Sequence, residues 1–274
     1  MLAFRVVSVL VVGLLSLAVT PLSARGSQVD ELPNLVPLPA FDIAIGQSPS
    51  TPSEDSVGLR FAAATANKGD FALDLFGQPD EIGVTSAAAS QCVDWSSDRV
   101  CANRQPVGRF LWHPDHGHYH FEDFALYELR RFRPNGKVNF KPKGLVATSG
   151  KVSFCVIDVE QDGSPSSPLY LFPYPLYYSC FAGVGFQGIS PGWRDVYSAS
   201  TEGQEFPLEE LVPGRLALVI YSDPVDRLHE TRNDDNLAVT GIVISPDLSK
   251  VKVFCTSEPG SSDCSLPPPA QEAP

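Results

Sequence analysis

Positive charge is scarce in this sequence, and long apolar runs are missing after the first 24 residues. The chain of 274 residues has 20 basic and 32 acidic side chains, giving a formal net charge of −12. Such a surface repels nucleic acid and anionic lipid and attracts cationic partners, or it serves solubility alone. No later stretch approaches the roughly 20 apolar residues of a membrane-spanning helix. The composition argues against nucleic-acid binding and against a protein that crosses a membrane repeatedly.

Long helical patterns are also missing, because 25 prolines and 21 glycines are spread along the chain. Only Leu208–Leu211 indicates a helical turn. Asn67–Asp70 is typical of a hairpin turn. Short alternating segments predict strands: Val57–Ala66, Phe71–Phe76, His118–Leu129, Val152–Val159, Leu216–Ser222, Leu237–Ser245 and Val251–Cys255. The prediction is an all-β fold, an antiparallel β-sandwich core with long irregular loops and few helices.

The N-terminus has the pattern of a secretory signal. Arg5 precedes the apolar run Val6–Val19, and small residues lead to Arg25. The run is short for a spanning helix, although an uncleaved membrane anchor is the alternative. We expect residues 1–24 to be a signal peptide and the protein to be secreted. Residues 25–56 are predicted to form an extended proline-rich arm, 57–256 the functional domain and 257–274 a flexible tail.

Six cysteines in an exported chain favour disulfides over thiolate metal ligands. Six cysteines allow 15 connectivities, and spacing alone does not decide among them. Proximity along the chain favours Cys92–Cys101, Cys155–Cys180 and Cys255–Cys264.

Histidine is rare, yet four of the five histidines lie in the segment Trp112–His120, which reads WHPDHGHYH. Alternate residues of a strand share a face, so His116, His118 and His120 are predicted to point the same way. On a flat strand they would span about 13 Å, too far for one ion, and Gly117 gives the backbone freedom to curl. His113 has the wrong offset for this face and is predicted to support the ligands instead.

Three imidazoles with no thiolate nearby suit zinc or copper. Copper(II) heads the affinity order of the divalent metals and is tolerated in an oxidising compartment. The H-E-x-x-H helix of zinc proteases is missing from the sequence. Copper(II) on His116, His118 and His120 is therefore the prediction.

Three segments together resemble the lysyl oxidase family. Trp112–His120 is similar to its copper segment W-H-x-x-H-x-H-Y-H. Lys151–Cys155, KVSFC, is similar to K-A-S-F-C, and Gln187–Tyr197, QGISPGWRDVY, to Q-G-L-S-P-G-x-x-D-T-Y. Three weaker matches extend the resemblance, which runs in order from about Leu32 to Ser245. These are Leu32–Pro37, Arg60–Phe61 and Asn233–Asn236.

The resemblance implies that Lys151 and Tyr197 cross-link, with copper and dioxygen, into lysine tyrosylquinone. It implies a primary-amine oxidase that converts peptidyl lysine or other primary amines to aldehydes, releasing hydrogen peroxide and ammonia. Expected partners are dioxygen and lysine-rich or cationic polypeptides or small primary amines, with no nucleic acid and, after signal removal, no membrane. Asp195, two residues before Tyr197 and on the same strand face, is the predicted catalytic base.

Some features depart from the animal enzymes of this family. Asp115 and Trp193 stand where those enzymes have cysteines, so their disulfide map does not transfer and the chain resembles a distant branch.

Two other functions stay open: a copper-binding or sequestration protein without turnover, and a three-histidine zinc hydrolase. The acidic run Glu230–Asn236 is interpreted as a turn between strands in preference to a calcium loop.

Overall fold

The computed structural model describes residues 32–50, 56–81, 83–96, 98, 100–162, 173–180 and 185–264. The predicted signal peptide and the last ten residues of the predicted tail lie outside the described residues. Helix within these ranges is limited to the 3₁₀ turns Pro142–Gly144 and Leu208–Glu210. No helix in the described ranges has the length and apolar character to cross a membrane.

The described residues form sixteen strands, and every pairing between them is antiparallel. In chain order they are β1 (Leu35–Pro37), β2 (Phe41–Gln47), β3 (Val57–Asn67), β4 (Leu73–Gly77), β5 (Ser86–Trp95), β6 (Cys101–His113), β7 (His118–Phe121), β8 (Ala125–Arg131), β9 (Leu145–Thr148), β10 (Glu160–Gln161), β11 (Gly185–Ile189), β12 (Trp193–Tyr197), β13 (Glu205–Pro207), β14 (Gly214–Ser222), β15 (Leu237–Ile244) and β16 (Val251–Thr256). The prediction of an all-β, antiparallel fold with few helices is confirmed.

Three sheets organise these strands. In the first, β3 pairs with β1, β2, β12 and β13, and β10 pairs with β12. The second has the order β11-β4-β5-β6-β7, and the third has the order β16-β15-β14-β8-β9. The second sheet carries the histidine segment at its β6–β7 edge, and β12 of the first sheet carries Asp195 and Tyr197.

Aromatic side chains fill the core between the sheets. Phe61 of β3 is fully buried, edge-on to Tyr127 of β8 at 5.1 Å and stacked on Phe206 of β13 at 5.5 Å between ring centroids. Phe154 packs edge-on against Tyr127 at 5.9 Å and against Tyr197 at 4.9 Å. Burying a side chain of this size stabilises the fold by roughly 1.5–3 kcal/mol. The same rings also fix the position of Tyr197.

The predicted hairpin at Asn67–Asp70 is wrong, because β3 and β4 belong to different sheets. The buried Asn67 side chain explains this crossing. Its amide donates to the carbonyls of Phe71 and Ile189, and its oxygen accepts from the backbone N–H groups of Asn34 and Gly69. These four bonds direct the chain from one sheet to the other.

Two predicted strands differ from the structure. His118–Leu129 divides into β7 and β8 at Asp123, whose positive φ of 55° turns the chain from the second sheet to the third. Val152–Val159 is not a strand in the structure, which gives it one isolated bridge, between Phe121 and Phe154. Segment Glu230–Asn236 is an irregular connection between β14 and β15, as predicted.

The predicted disulfide pairing is confirmed. Cys92–Cys101, Cys155–Cys180 and Cys255–Cys264 are bonded, and no free cysteine remains. Cys92–Cys101 links β5 to β6, and Cys155–Cys180 ties the segment after Lys151 to a distant loop. The predicted domain boundaries stay a prediction. Within the predicted arm, Leu35–Pro37 and Phe41–Gln47 are strands paired with β3.

Candidate metal centre and lysine–tyrosine pair

The histidine segment folds as a tight hairpin. Strand β6 ends at His113, the chain turns, and β7 begins at His118 directly opposite His113. The carbonyl of His113 accepts hydrogen bonds from the N–H groups of His116 and Gly117, at 3.2 and 2.9 Å. Gly117 has a φ of +66°, a conformation that favours glycine. The hairpin therefore depends on the glycine that separates two of the predicted ligands.

His113 shares a face with His118 and His120, because directly opposed residues of two strands point the same way. The prediction that His113 points away is wrong, since it treated the segment as a single strand and the chain reverses within it. His116 lies in the turn, not on a strand. Its ring stacks on His113, with 4.1 Å between centroids. Four imidazoles thus converge where the sequence predicted three.

Two nitrogen separations within the predicted ligand set fit one metal ion. His120 Nε2 lies 3.0 Å from His118 Nε2 and 3.3 Å from His116 Nδ1. Two nitrogens bound to one ion at about 2.0–2.1 Å are about 2.9–3.4 Å apart, between square-planar and tetrahedral angles. A second three-histidine set is also close, with ligand atoms of His113, His116 and His120 within 4.8 Å of one another. The donor set suits copper or zinc.

Burial favours the neutral form of three of these imidazoles. It lowers the pKa of His113 and of His118, and it lowers the pKa of His120 to about 3. Neighbouring histidines and Lys151 lower the pKa of His120 further, because their positive charge opposes protonation. A metal binds the neutral imidazole, so a lowered pKa keeps the ligand competent at neutral pH.

Lys151 and Tyr197 lie against each other, although 46 positions separate them in the sequence. The Lys151 Nζ atom is 5.1 Å from the centre of the Tyr197 ring and 5.5 Å from that of Phe154. The Tyr197 hydroxyl donates to the carbonyl of Cys155 at 2.8 Å, which fixes the ring. The structure therefore brings together the two residues predicted to cross-link.

Glu202 connects this pair to the histidines, and sequence reasoning missed it. Its carbonyl accepts a hydrogen bond from Lys151 Nζ at 2.9 Å, and its carboxylate lies 3.6 Å from His116 Nε2. Next to it, Gly203 has a φ of +78°, and a Cβ there would lie 2.7–2.8 Å from carbons of Lys151. No sequence motif indicates this role, because Glu202 and Lys151 are distant in the sequence and come into contact only in the folded structure.

Asp195 is buried on β12, two residues before Tyr197. It is 2% exposed, and no side chain in the described ranges donates to its carboxylate. Burial raises the pKa of Asp195 well above its usual range, and Asp158 adds to the shift, while the backbone N–H groups of Val196 and Ile157 oppose it. With Tyr127 and Tyr197, it lines a small interior void.

An open cleft of about 1030 Å³ gives access to the site. Its wall includes Lys151 and three of the four clustered histidines, His113, His116 and His120. Three carboxylates of the described residues, Glu202, Glu205 and Glu209, also line it. The cleft therefore opens onto Lys151 and these three histidines, beside acidic side chains.

Fold and site together define an all-β protein with a histidine cluster beside a lysine–tyrosine pair. The family model for lysyl oxidase matches residues 93–254, more than half of the chain. The chain belongs to the lysyl oxidase family.

Three relatives illustrate the similarity. Protein-lysine 6-oxidase of Gallus gallus is 29% identical over 134 residues, which cover 48% of this chain and 27% of that protein. Lysyl oxidase homolog 3 of Homo sapiens is 32% identical over 124 residues, 44% of this chain and 14% of that protein. Protein-lysine 6-oxidase of Sus scrofa is 28% identical over 48% of this chain and 46% of its own length. The chain thus matches less than half the length of each of these relatives.

Proposed function

We propose that this protein is a secreted, copper-dependent amine oxidase that converts peptidyl lysine or other primary amines to aldehydes, releasing hydrogen peroxide and ammonia. The observation that carries the proposal is the position of Lys151 Nζ, 5.1 Å from the Tyr197 ring and joined through Glu202 to the histidine cluster. Relatives named protein-lysine 6-oxidase and three disulfides support an oxidase of an oxidising compartment.

His116, His118 and His120 are the proposed copper ligands, and His113 is the alternative to His118. Lysine tyrosylquinone formed from Lys151 and Tyr197 supplies the electron sink that amine oxidation needs and that ordinary side chains lack. The protein's own part is to hold the two precursors. Hydrogen bonds to the carbonyls of Glu202 and Cys155 fix the amine and the phenol, respectively.

Lys151 is suited to act as a nucleophile in this setting. Burial lowers the pKa of its ammonium group, although Glu202, Asp195 and Glu205 counteract the shift. A lower pKa increases the fraction of neutral amine, which is the form that attacks carbon.

Asp195 is the proposed base. Its raised pKa means that the buried carboxyl group accepts a proton far more readily than an exposed aspartate does. Glu205, which lines the cleft, is the competing candidate. Asp195→Asn and Glu205→Gln separate the two, because only the variant lacking the base should lose turnover while retaining the quinone.

The substrate proposal rests on the cleft. Three carboxylates on its wall and a net charge of −12 favour a protonated amine, carried by a lysine-rich polypeptide or a small molecule. Dioxygen is the proposed second substrate.

Phenylhydrazine tests the function directly, because it forms a coloured adduct with a quinone carbonyl. Copper-loaded, aerated protein should form the adduct and release peroxide from an alkylamine. Lys151→Arg and Tyr197→Phe preserve size and should keep the fold and the copper but lose both signals. Turnover in either variant would contradict the assignment of the cofactor.

The same assay separates the two alternatives. A copper-binding protein without turnover would bind one copper per chain and give neither adduct nor peroxide. A zinc hydrolase would retain zinc in preference to copper and also fail to react with phenylhydrazine.

A further inference from the structure

A second pocket lies at the β4–β11 edge of the second sheet, and the proposed oxidase function does not use it. Its volume is about 280 Å³. Among the described residues, four aromatic side chains line it: Phe71, Trp95, Tyr177 and Phe186. We name it the aromatic slot. The rings form two pairs: Phe71 and Trp95 have centroids 6.1 Å apart, and those of Tyr177 and Phe186 are 5.1 Å apart.

Polar contacts hold the floor of the slot in place. The buried Asp74 accepts a hydrogen bond from the Tyr177 hydroxyl at 2.9 Å and forms an ion pair with Arg104 at 2.5 Å. Asp158 accepts from the backbone N–H groups of Leu176 and Tyr177, at 2.9 and 3.2 Å. The wall that carries Tyr177 is therefore fixed to the body of the domain.

The charge of the slot is negative. Arg104 offsets the charge of Asp74, while Asp70 lines the slot as an exposed carboxylate. Two apolar lining residues stay open to solvent, Leu176 at 45% and Phe186 at 42% exposure. Large apolar side chains gain free energy when a ligand covers them. A carboxylate beside aromatic rings additionally favours a cation, because ring faces carry negative charge density.

The size of the slot restricts its ligand. Pockets for whole small molecules measure roughly 300–1,000 Å³, so this one suits a single extended side chain. Lysine and arginine combine an alkyl stem, which packs on the rings, with a positive head for Asp70. We propose that the aromatic slot binds a lysine or arginine side chain of a polypeptide.

The slot is separate from the cleft, since the two share no lining residue in the part of the chain that the structure describes. Along β5, Ser86 pairs with Leu111 near the histidines, whereas Trp95 pairs with Cys101 at the opposite end. Nine residue steps at about 3.3 Å correspond to about 30 Å. The proposal therefore does not depend on the oxidase function, and binding can be measured without copper.

The test is a tryptophan-fluorescence titration of the full chain with two probes, Nα-acetyl-lysine amide and its neutral isostere Nα-acetyl-norleucine amide. The lysine probe should give a saturable change that disappears in Trp95→Phe. The norleucine probe should bind at least threefold more weakly. Nα-acetyl-arginine amide should resemble the lysine probe.

Two variants test the recognition chemistry. Asp70→Asn should weaken binding of the lysine probe about two- to fivefold, as expected for an exposed charge pair. Phe186→Leu keeps apolar volume and loses the ring, and it should weaken binding by a similar factor. Tyr174→Ser is the matched control, since Tyr174 is 78% exposed and does not line the slot, and it should bind as the wild type does.

Three results would overturn the proposal. One is a lysine-probe signal that survives in Trp95→Phe, which would place binding elsewhere. Another is equal or tighter binding of the norleucine probe, which would make the slot a purely apolar site. The third is no saturable change in wild-type protein whose thermal unfolding is normal.

Discussion

The histidine hairpin and the lysine–tyrosine pair are two halves of one candidate site, and the chain builds them differently. All four histidines of the hairpin lie within eight consecutive residues, and local backbone turns bring them together. Lys151, Tyr197 and Glu202 come from distant segments, and long-range contacts place them. Damage to one half should therefore leave the other intact, whereas the connection through Glu202 should be sensitive to backbone changes.

The largest expected effect is the loss of copper binding when a histidine of the hairpin is replaced. His120→Ala should abolish copper binding, because His120 Nε2 lies within 3.3 Å of both other predicted ligand nitrogens. Metal content measured after dialysis against copper checks this result.

His113→Ala and His118→Ala sharpen the ligand assignment. If His118 is the third ligand, its loss should be severe, and His113→Ala should cost about 10–100-fold in affinity, as for residues that support ligands. The reverse order would transfer the ligand role to His113. His229→Ala, outside the cluster, is the control for both.

Gly203→Ala should disrupt the connection between the halves. The added Cβ would lie 2.7–2.8 Å from Lys151 carbons at a φ that disfavours alanine, so the lysine or the loop that carries Gly203 must shift. We expect most of the phenylhydrazine adduct to disappear while copper binding stays normal.

Gly214→Ala is a matched control for that variant. Gly214 also has a positive φ, +106°, yet a Cβ there meets no described residue within 4 Å. The Gly214→Ala variant therefore has the backbone strain of an alanine at positive φ but no new contact with Lys151. Equal loss of the adduct in both variants would show that strain alone, and not displacement of the lysine, is responsible.

Short sequence patterns were enough to predict those residues of the site that lie within a recognisable motif. Spacing identified three histidines, and motif resemblance identified Lys151 and Tyr197. Proximity along the chain only favoured the disulfide pairing that the structure shows. Sequence reasoning misjudged His113 because the turn between β6 and β7 could not be read from alternation alone. Glu202 was missed since neither its charge nor its spacing signals a carbonyl contact across 51 positions. The hairpin at Asn67 failed for the same reason, because that turn depends on contacts with remote segments.

A smaller effect concerns the stability of the metal-free protein. The pKa of His120 is about 3 in the folded state against 6.5 as its ordinary value. Between these values the unfolded chain binds more protons, so stability falls as the pH falls from 6.5 toward 3, by up to about 1.4 kcal/mol per pH unit. Denaturant titrations of wild type and His120→Gln at several pH values should show a shallower slope for the variant. Parallel slopes would contradict the role of this burial.

The smallest expected effect concerns salt. A net charge of −12 should attract a cationic polymer over a Debye length of about 8–10 Å, whereas a small monoamine carries one charge. The kcat/KM for polylysine should fall steeply with ionic strength, and that for an alkylamine only slightly. Equal salt sensitivity would indicate that the acidic surface serves solubility alone.

The most direct test of the central claim is peptide mapping of copper-loaded, aerated protein after reduction and trypsin digestion. The account predicts that the peptide beginning at Asp195, which contains Tyr197, is covalently joined to the peptide containing Lys151. This joined species should be missing from Lys151→Arg and from protein kept without copper. Recovery of the two unmodified peptides from the copper-loaded wild type would contradict the account.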